Sequence, residues 1–152
     1  MIVSNTTFRL CPWADLLVAM DAAWWFRHGA EVRRGFAGEA ATVAPDACQY
    51  GASVVDQPPE GFGNTGAMAV RLALDAGAAR VLLLGYDCQH TGGRTHWHGS
   101  HPQGLGDAAS VARWPAHFDA VAATGVGRVI NCTRETALTC FPRAPLAEAL
   151  EA

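Results

Sequence analysis

The chain predicts an α/β domain with a mostly parallel sheet and helices on both of its faces. Three observations predict it. Half of the 152 residues are apolar and only 16% are charged, a composition that supports a packed core. From Asp15 onward, apolar runs and helical stretches follow one another in the order β-α-β-β-α-β-α-β-α. The segment GNTGAMAVRLALDAGAARVLLLGYDCQ, Gly63 to Gln89, joins a capped apolar helix to a strand with no polar alternation. That pattern predicts a parallel strand buried on both faces.

Met1 to Ser4 reads as a short strand, and Asn5-Thr6-Thr7 as the turn after it. Asp15 to Met20 is a second strand, ending at Asp21, and Ala22 to His28 a helix carrying Trp24, Trp25 and Phe26 side by side. Neighbouring helical positions face different ways, so core packing with one ring exposed is expected; a stacking platform or a subunit interface is the second reading. Ala40 to Val43 and Ser53 to Asp56 are candidate strands, and Gln57 to Gly63 a Pro/Gly loop. Thr65 to Ala76 is the best helix, capped by Asn64 or Thr65 and closed by Gly77. Arg80 to Leu84 is the best strand. Gly85 to Gly106 is a long loop rich in Gly and His, a length that often marks function. Asp107 to Thr124 should be a helix kinked or split at Pro115, Gly127 to Asn131 a strand, and Leu146 to Leu150 a closing helix. With no repeat or internal linker visible, the chain reads as one domain.

The net charge of −3 and the scattered basic residues argue against a nucleic-acid surface. Five cysteines without a CxxC pair argue against a disulfide scaffold. With no signal segment and no apolar run near the roughly 20 residues of a membrane span, the expectation is a reduced, cytoplasmic protein that does not enter a membrane.

Four constellations carry candidate chemistry. Gly63-Asn64-Thr65-Gly66 opens the best helix, where free N–H groups and a partial positive charge suit a phosphate, while a plain capping turn explains the same residues. Tyr86-Asp87 follows the best strand, where a carboxylate can hold a sugar or substrate hydroxyl or simply order a loop. His90, His96, His98 and His101 lie near Asp87 and Cys88. They can be read as metal ligands, as a general base, or as a polar loop with Trp97 as a stacking face; no standard structural-zinc spacing is met. Asn131-Cys132-Thr133-Arg134 follows the last strand, with Arg134 as a partner for an anion or as a surface residue. In a parallel sheet Asn5, Asp21, Asn64, Asp87 and Asn131 would all gather at the carboxyl edge, although Asn and Asp are also common after any strand.

At these residues the chain resembles known proteins. NTGAMAVRLALDAGAARVLLLGYD resembles the helix-strand unit of small Rossmann-like bacterial sialyltransferases and of the related MptE-like family, whose namesake is an archaeal pterin diphosphokinase. VINCTRETALTCFPRAPLAEAL is similar to the sialyltransferase carboxyl-terminal segment, and VSNTTFRLCPWADLLVAMD to the second and third strands. PWADLL, DAAWW and HWHGSHP are similar to stretches of tailed-phage and prophage proteins of this type. The resemblance implies a three-layer Rossmann-like fold lacking the family's first strand and the Gly-rich loop after it. It implies a nucleotide site lined by Asn5, Asp21, Asn64, Thr65 and Gly66; Asp87 and Asn131, at the ends of their strands, are read as orienting substrate. One of His96, His98 and His101 would take the place of the family's catalytic base. The family's lid tyrosines have no counterpart, since Tyr50 and Tyr86 are the only tyrosines.

The expected function is binding of a nucleotide or nucleotide sugar, with group transfer from that donor if the chain is an enzyme. Two other readings fit the same residues: a metal-binding, hydrolase-like domain built on the His-rich loop, and a non-enzymatic phage accessory protein that keeps the fold. A sheet edge left bare by the absent strand would be open to pairing with a second copy.

Overall fold

The structure is a computed structural model that describes residues 1–57, 63–93, 105, 110–125 and 127–151. It is an α/β protein in which every pair of strands among the described residues runs parallel. The chain forms two compact units, Met1–Ala69 and Val70–Ala152, with the boundary inside a helix where the sequence shows no linker.

In the first unit, β1 (Ile2–Ser4), β2 (Leu16–Val18), β3 (Glu39–Thr42) and β4 (Ser53–Val54) form one sheet in chain order. Ser4 lies beside Val18, and Val18 beside Ala41, so the carboxyl ends of the strands share one edge. Leu17, Val18 and Ala19 are almost wholly buried, as a continuous apolar run in a parallel strand requires. The links from β1 to β2 and from β3 to β4 are too short for an α-helix with its turns. They hold 3₁₀ turns instead, Asn5–Arg9 and Pro45–Tyr50. β2 and β3 are joined by α1 (Ala22–Gly35), which runs seven residues beyond the expected end at His28.

That extension has a packing cause. A side chain at position 29 would run into the ring of Tyr50, so Gly29 keeps α1 close to the 3₁₀ turn. Trp25 stacks on the same ring, with centroids 6.4 Å apart, and its indole N–H donates to the Ala19 carbonyl at 2.8 Å. Phe8 meets Trp24 edge-on. Of the three adjacent aromatic residues, Trp24 and Trp25 are buried and Phe26 is 84% exposed, as helical geometry demands.

α2 (Thr65–Asp75) carries the boundary between the units. In the second unit, β5 (Val81–Leu83) pairs with β6 (Val129–Asn131) in a separate two-stranded sheet. The best strand of the sequence is therefore not buried on both faces. Val81 and Leu82 are half-buried and Leu84 just beyond is 54% exposed, because β5 has one pairing neighbour among the described residues. α3 (Trp114–Thr124) starts later than expected, after a 3₁₀ turn at Val111–Arg113. Pro115 sits in its first turn, where a missing N–H costs nothing, and does not kink it. Phe118 and Val121 of α3, Val129 of β6, Leu138 and Phe141 are buried in this unit. α4 (Leu146–Glu151) closes the described chain. No helix among the described residues is long and apolar enough to cross a membrane.

Candidate functional site

The carboxyl edge of the four-stranded sheet gathers the polar residues of the first unit. Asn5 follows β1 directly and adopts φ +49°, the left-handed region that Asn tolerates better than most residues. Its side-chain oxygen is shielded from solvent and meets no donor among the described residues. An acceptor in that state lacks the water it would hold when unfolded, and such groups normally find a partner. Asp21 ends the β2 segment at the N-cap position of α1. It is exposed, and its carboxylate makes no capping bond. Thr65, at the start of α2, is buried, and its hydroxyl oxygen accepts from the Met20 amide at 3.4 Å. This contact places the α2 N-terminus next to the β2 exit. Asn5, Asp21, Asn64, Thr65 and Gly66 thus belong to one edge of one unit.

The helix start itself is already capped. The Asn64 side-chain oxygen accepts from the amides of Gly66 at 2.7 Å and Ala67 at 3.2 Å. These are two of the free N–H groups that a phosphate would use. An incoming anion must displace the Asn64 oxygen or settle for the remaining N–H of the first turn. Asn64→Ala is therefore expected to lower stability by about 1 kcal/mol, the usual loss for an N-cap. Added phosphate should restore part of the melting temperature in the variant and much less in the parent protein. Thermal melts with and without phosphate at constant ionic strength check this.

The second unit has its own carboxyl edge, at the ends of β5 and β6. Asn131 is 1% exposed, and its side chain is engaged within its own loop. Its amide nitrogen donates to the Leu138 carbonyl at 3.2 Å and to the Thr136 hydroxyl at 3.4 Å, and its oxygen accepts from the Thr133 amide at 3.0 Å. The loop then holds the end of β5. Thr133 Oγ1 accepts from the Tyr86 amide at 3.0 Å, Thr136 Oγ1 donates to the Tyr86 carbonyl at 2.6 Å, and the Ala137 amide donates to the Asp87 carbonyl at 2.8 Å. Asp87 is half-buried at this edge. Asn131 therefore acts on Asp87 at one remove, by fixing the loop that carries it. Arg143 donates to the carbonyls of Thr133 and Arg134, so Arg143 is the basic residue tied to this loop and Arg134 is exposed beside it. Sequence spacing gave no sign of either role, because both depend on residues 132–143 folding back over β6.

The Cys88 thiol is buried and pushed up to about 11, first by loss of solvent and then by the nearby charges of Asp87 and Cys140. A thiol in that range stays protonated near neutral pH and is a poor nucleophile. His96, His98 and His101 lie outside the described residues. Among the described residues, no three His, Cys, Asp or Glu side chains come together in a way that could hold a metal ion.

No family model matches the chain, and no curated protein or solved structure matches it either.

Proposed function

We propose that the chain is a Rossmann-like domain that binds a nucleotide or nucleotide sugar, in the manner of glycosyltransferases, at the carboxyl edge of the four-stranded sheet. The observation that carries this reading is the unsatisfied Asn5 oxygen at the carboxyl end of β1, on the sheet edge that also holds the exposed Asp21 after β2 and the start of α2 beside Met20. The exposed Asp21 carboxylate suits the hydroxyls of a ribose or sugar, and a turn of the shielded Asn5 side chain would supply a second acceptor. A helix N-terminus next to them suits the phosphate that follows. Gly66, without a Cβ, lets that phosphate approach the backbone. Group transfer belongs to the same proposal, with one of His96, His98 and His101 as general base on an acceptor hydroxyl.

Thermal melts with millimolar CMP, CDP, UDP and their sugars test it. A ligand at ten times its Kd stabilises the fold by about 1.4 kcal/mol, which raises the Tm of a chain of this length by roughly 3–6 °C. Asn5→Gly keeps the positive φ at no steric penalty and deletes the unsatisfied oxygen. It should leave the ligand-free Tm nearly unchanged and abolish most of the ligand-induced rise. No rise in the parent protein with any of these compounds contradicts the proposal.

A further inference from the structure

Arg9 closes the 3₁₀ turn that begins at Asn5, and its guanidinium grips Glu31 of α1. Nε donates to one carboxylate oxygen at 2.7 Å and Nη2 to the other at 2.6 Å. The same Nη2 lies 3.4 Å from Nδ1 of His28, and a Glu31 oxygen lies 3.8 Å from that nitrogen. A guanidinium only donates, so in this contact Nδ1 serves as the lone-pair nitrogen of a neutral ring, and the ring proton is assigned to Nε2. His28 is 4% exposed. Nε2 is shielded from solvent and meets no partner among the described residues. Trp24 covers the ring, with centroids 5.1 Å apart.

This geometry decides where a second proton goes. Nε2 already carries one, so protonation falls on Nδ1, the nitrogen that faces the guanidinium. An attractive contact becomes a meeting of two cations, and the single carboxylate of Glu31 is left to serve both. We propose that His28 is an acid-sensitive latch: its protonation draws Glu31 away from Arg9 and loosens the Arg9 end of the Asn5–Arg9 turn against α1, while Phe8 stays packed on Trp24.

The charged groups around the ring support the direction. Burial is the largest influence and lowers the His28 pKa; Arg9 and Arg27 lower it further, while Glu31 opposes them. A histidine with a depressed folded pKa contributes stability that is complete above its unfolded value of about 6.5 and is lost as pH falls through the folded value. The latch is thus closed at neutral pH and opens in acid. Because Asn5 begins the turn, opening would also disturb the nucleotide edge; that consequence rests on the proposed function, and the latch itself does not.

Amide hydrogen exchange tests the latch without any ligand. The amides of Leu10 and Cys11 donate to the Thr7 carbonyl and report on closure of the turn. Between pH 7.5 and 5, corrected for intrinsic exchange, their opening should rise by about tenfold for each unit by which the ring pKa is lowered. His28→Gln should show no such rise. Unchanged protection in the parent protein, or the same rise in His28→Gln, overturns the proposal. Should that variant fail to fold, a nitrogen-detected titration of His28 in the parent protein decides: a neutral ring protonated on Nε2 is expected, and one protonated on Nδ1 contradicts the latch. Nucleotide-induced Tm shifts, measured separately, distinguish failure of the latch from failure of the nucleotide reading.

Discussion

Replacing Trp25 with alanine is expected to lower stability by about 3–5 kcal/mol, the range for deleting a buried large aromatic side chain. The residue is 1% exposed and packs between Trp24 and the face of Tyr50. Tyr50 itself sits where a side chain on residue 29 would have been, so the space left by the indole cannot be refilled by moving α1 inward. The Ala19 carbonyl also loses its donor at 2.8 Å. Ala19 precedes Met20 and Asp21, so the change loosens the exit of β2 at the candidate site. Trp25→Phe separates the two effects. It keeps a ring on Tyr50 and removes only the N–H, so it should cost about 1–3 kcal/mol, the value of an orphaned buried acceptor plus modest repacking. Urea unfolding of both variants checks the order. A loss below about 1 kcal/mol in Trp25→Ala would be incompatible with the packing described.

Asn131→Ala is the second large effect. It strips the partners from the Leu138 carbonyl and the Thr133 amide inside a closed loop. Each orphaned buried group costs about 1–3 kcal/mol, so the total should be roughly 2–6 kcal/mol. Asn131→Asp is expected to be worse at neutral pH. It keeps an acceptor for Thr133 but loses both amide donors and places a carboxylate at a position 1% exposed to solvent. A carboxylate there has its folded pKa raised, so the variant should regain stability as the pH is lowered toward 5. The parent protein lacks that gain. Chemical denaturation at pH 7 and pH 5 measures it. The same loop holds Tyr86 and Asp87, so exchange of the Ala137 amide should quicken in both variants.

Much of the fold is legible in the chain. The run around Leu16–Val18 reads as a strand because it is continuously apolar, the short Val129-Ile130 pair because it lies between Gly127 and Asn131, and both are strands. The Asn64 cap is legible because a short acceptor before an apolar helix has few other uses, and the structure shows that cap. What the chain hides depends on distant partners. Gly29 looks like a helix end, yet α1 passes through it because Tyr50, twenty-one residues on, fills the space beside it. The apolar stretch at β5 predicts burial on two faces, and only a tertiary arrangement could tell that it pairs with β6 alone among the described residues. Asn131 looks like a ligand contact at a strand end. Its amide is instead satisfied by Leu138, a residue whose return over β6 no local pattern announces. The ion cluster of Arg9, His28 and Glu31 is equally invisible in the sequence, since Arg9 belongs to a turn and the other two to α1.

Backbone amide mapping of the protein titrated in turn with CMP, CDP, UDP and their sugars tests the central claim most directly. The account predicts saturable shifts at Asn5, Asp21 and Asn64 to Gly66, the residues at the carboxyl edge of the four-stranded sheet, with Asn5→Gly reducing the response. Absence of any saturable shift, or shifts confined to residues away from that edge, would contradict it.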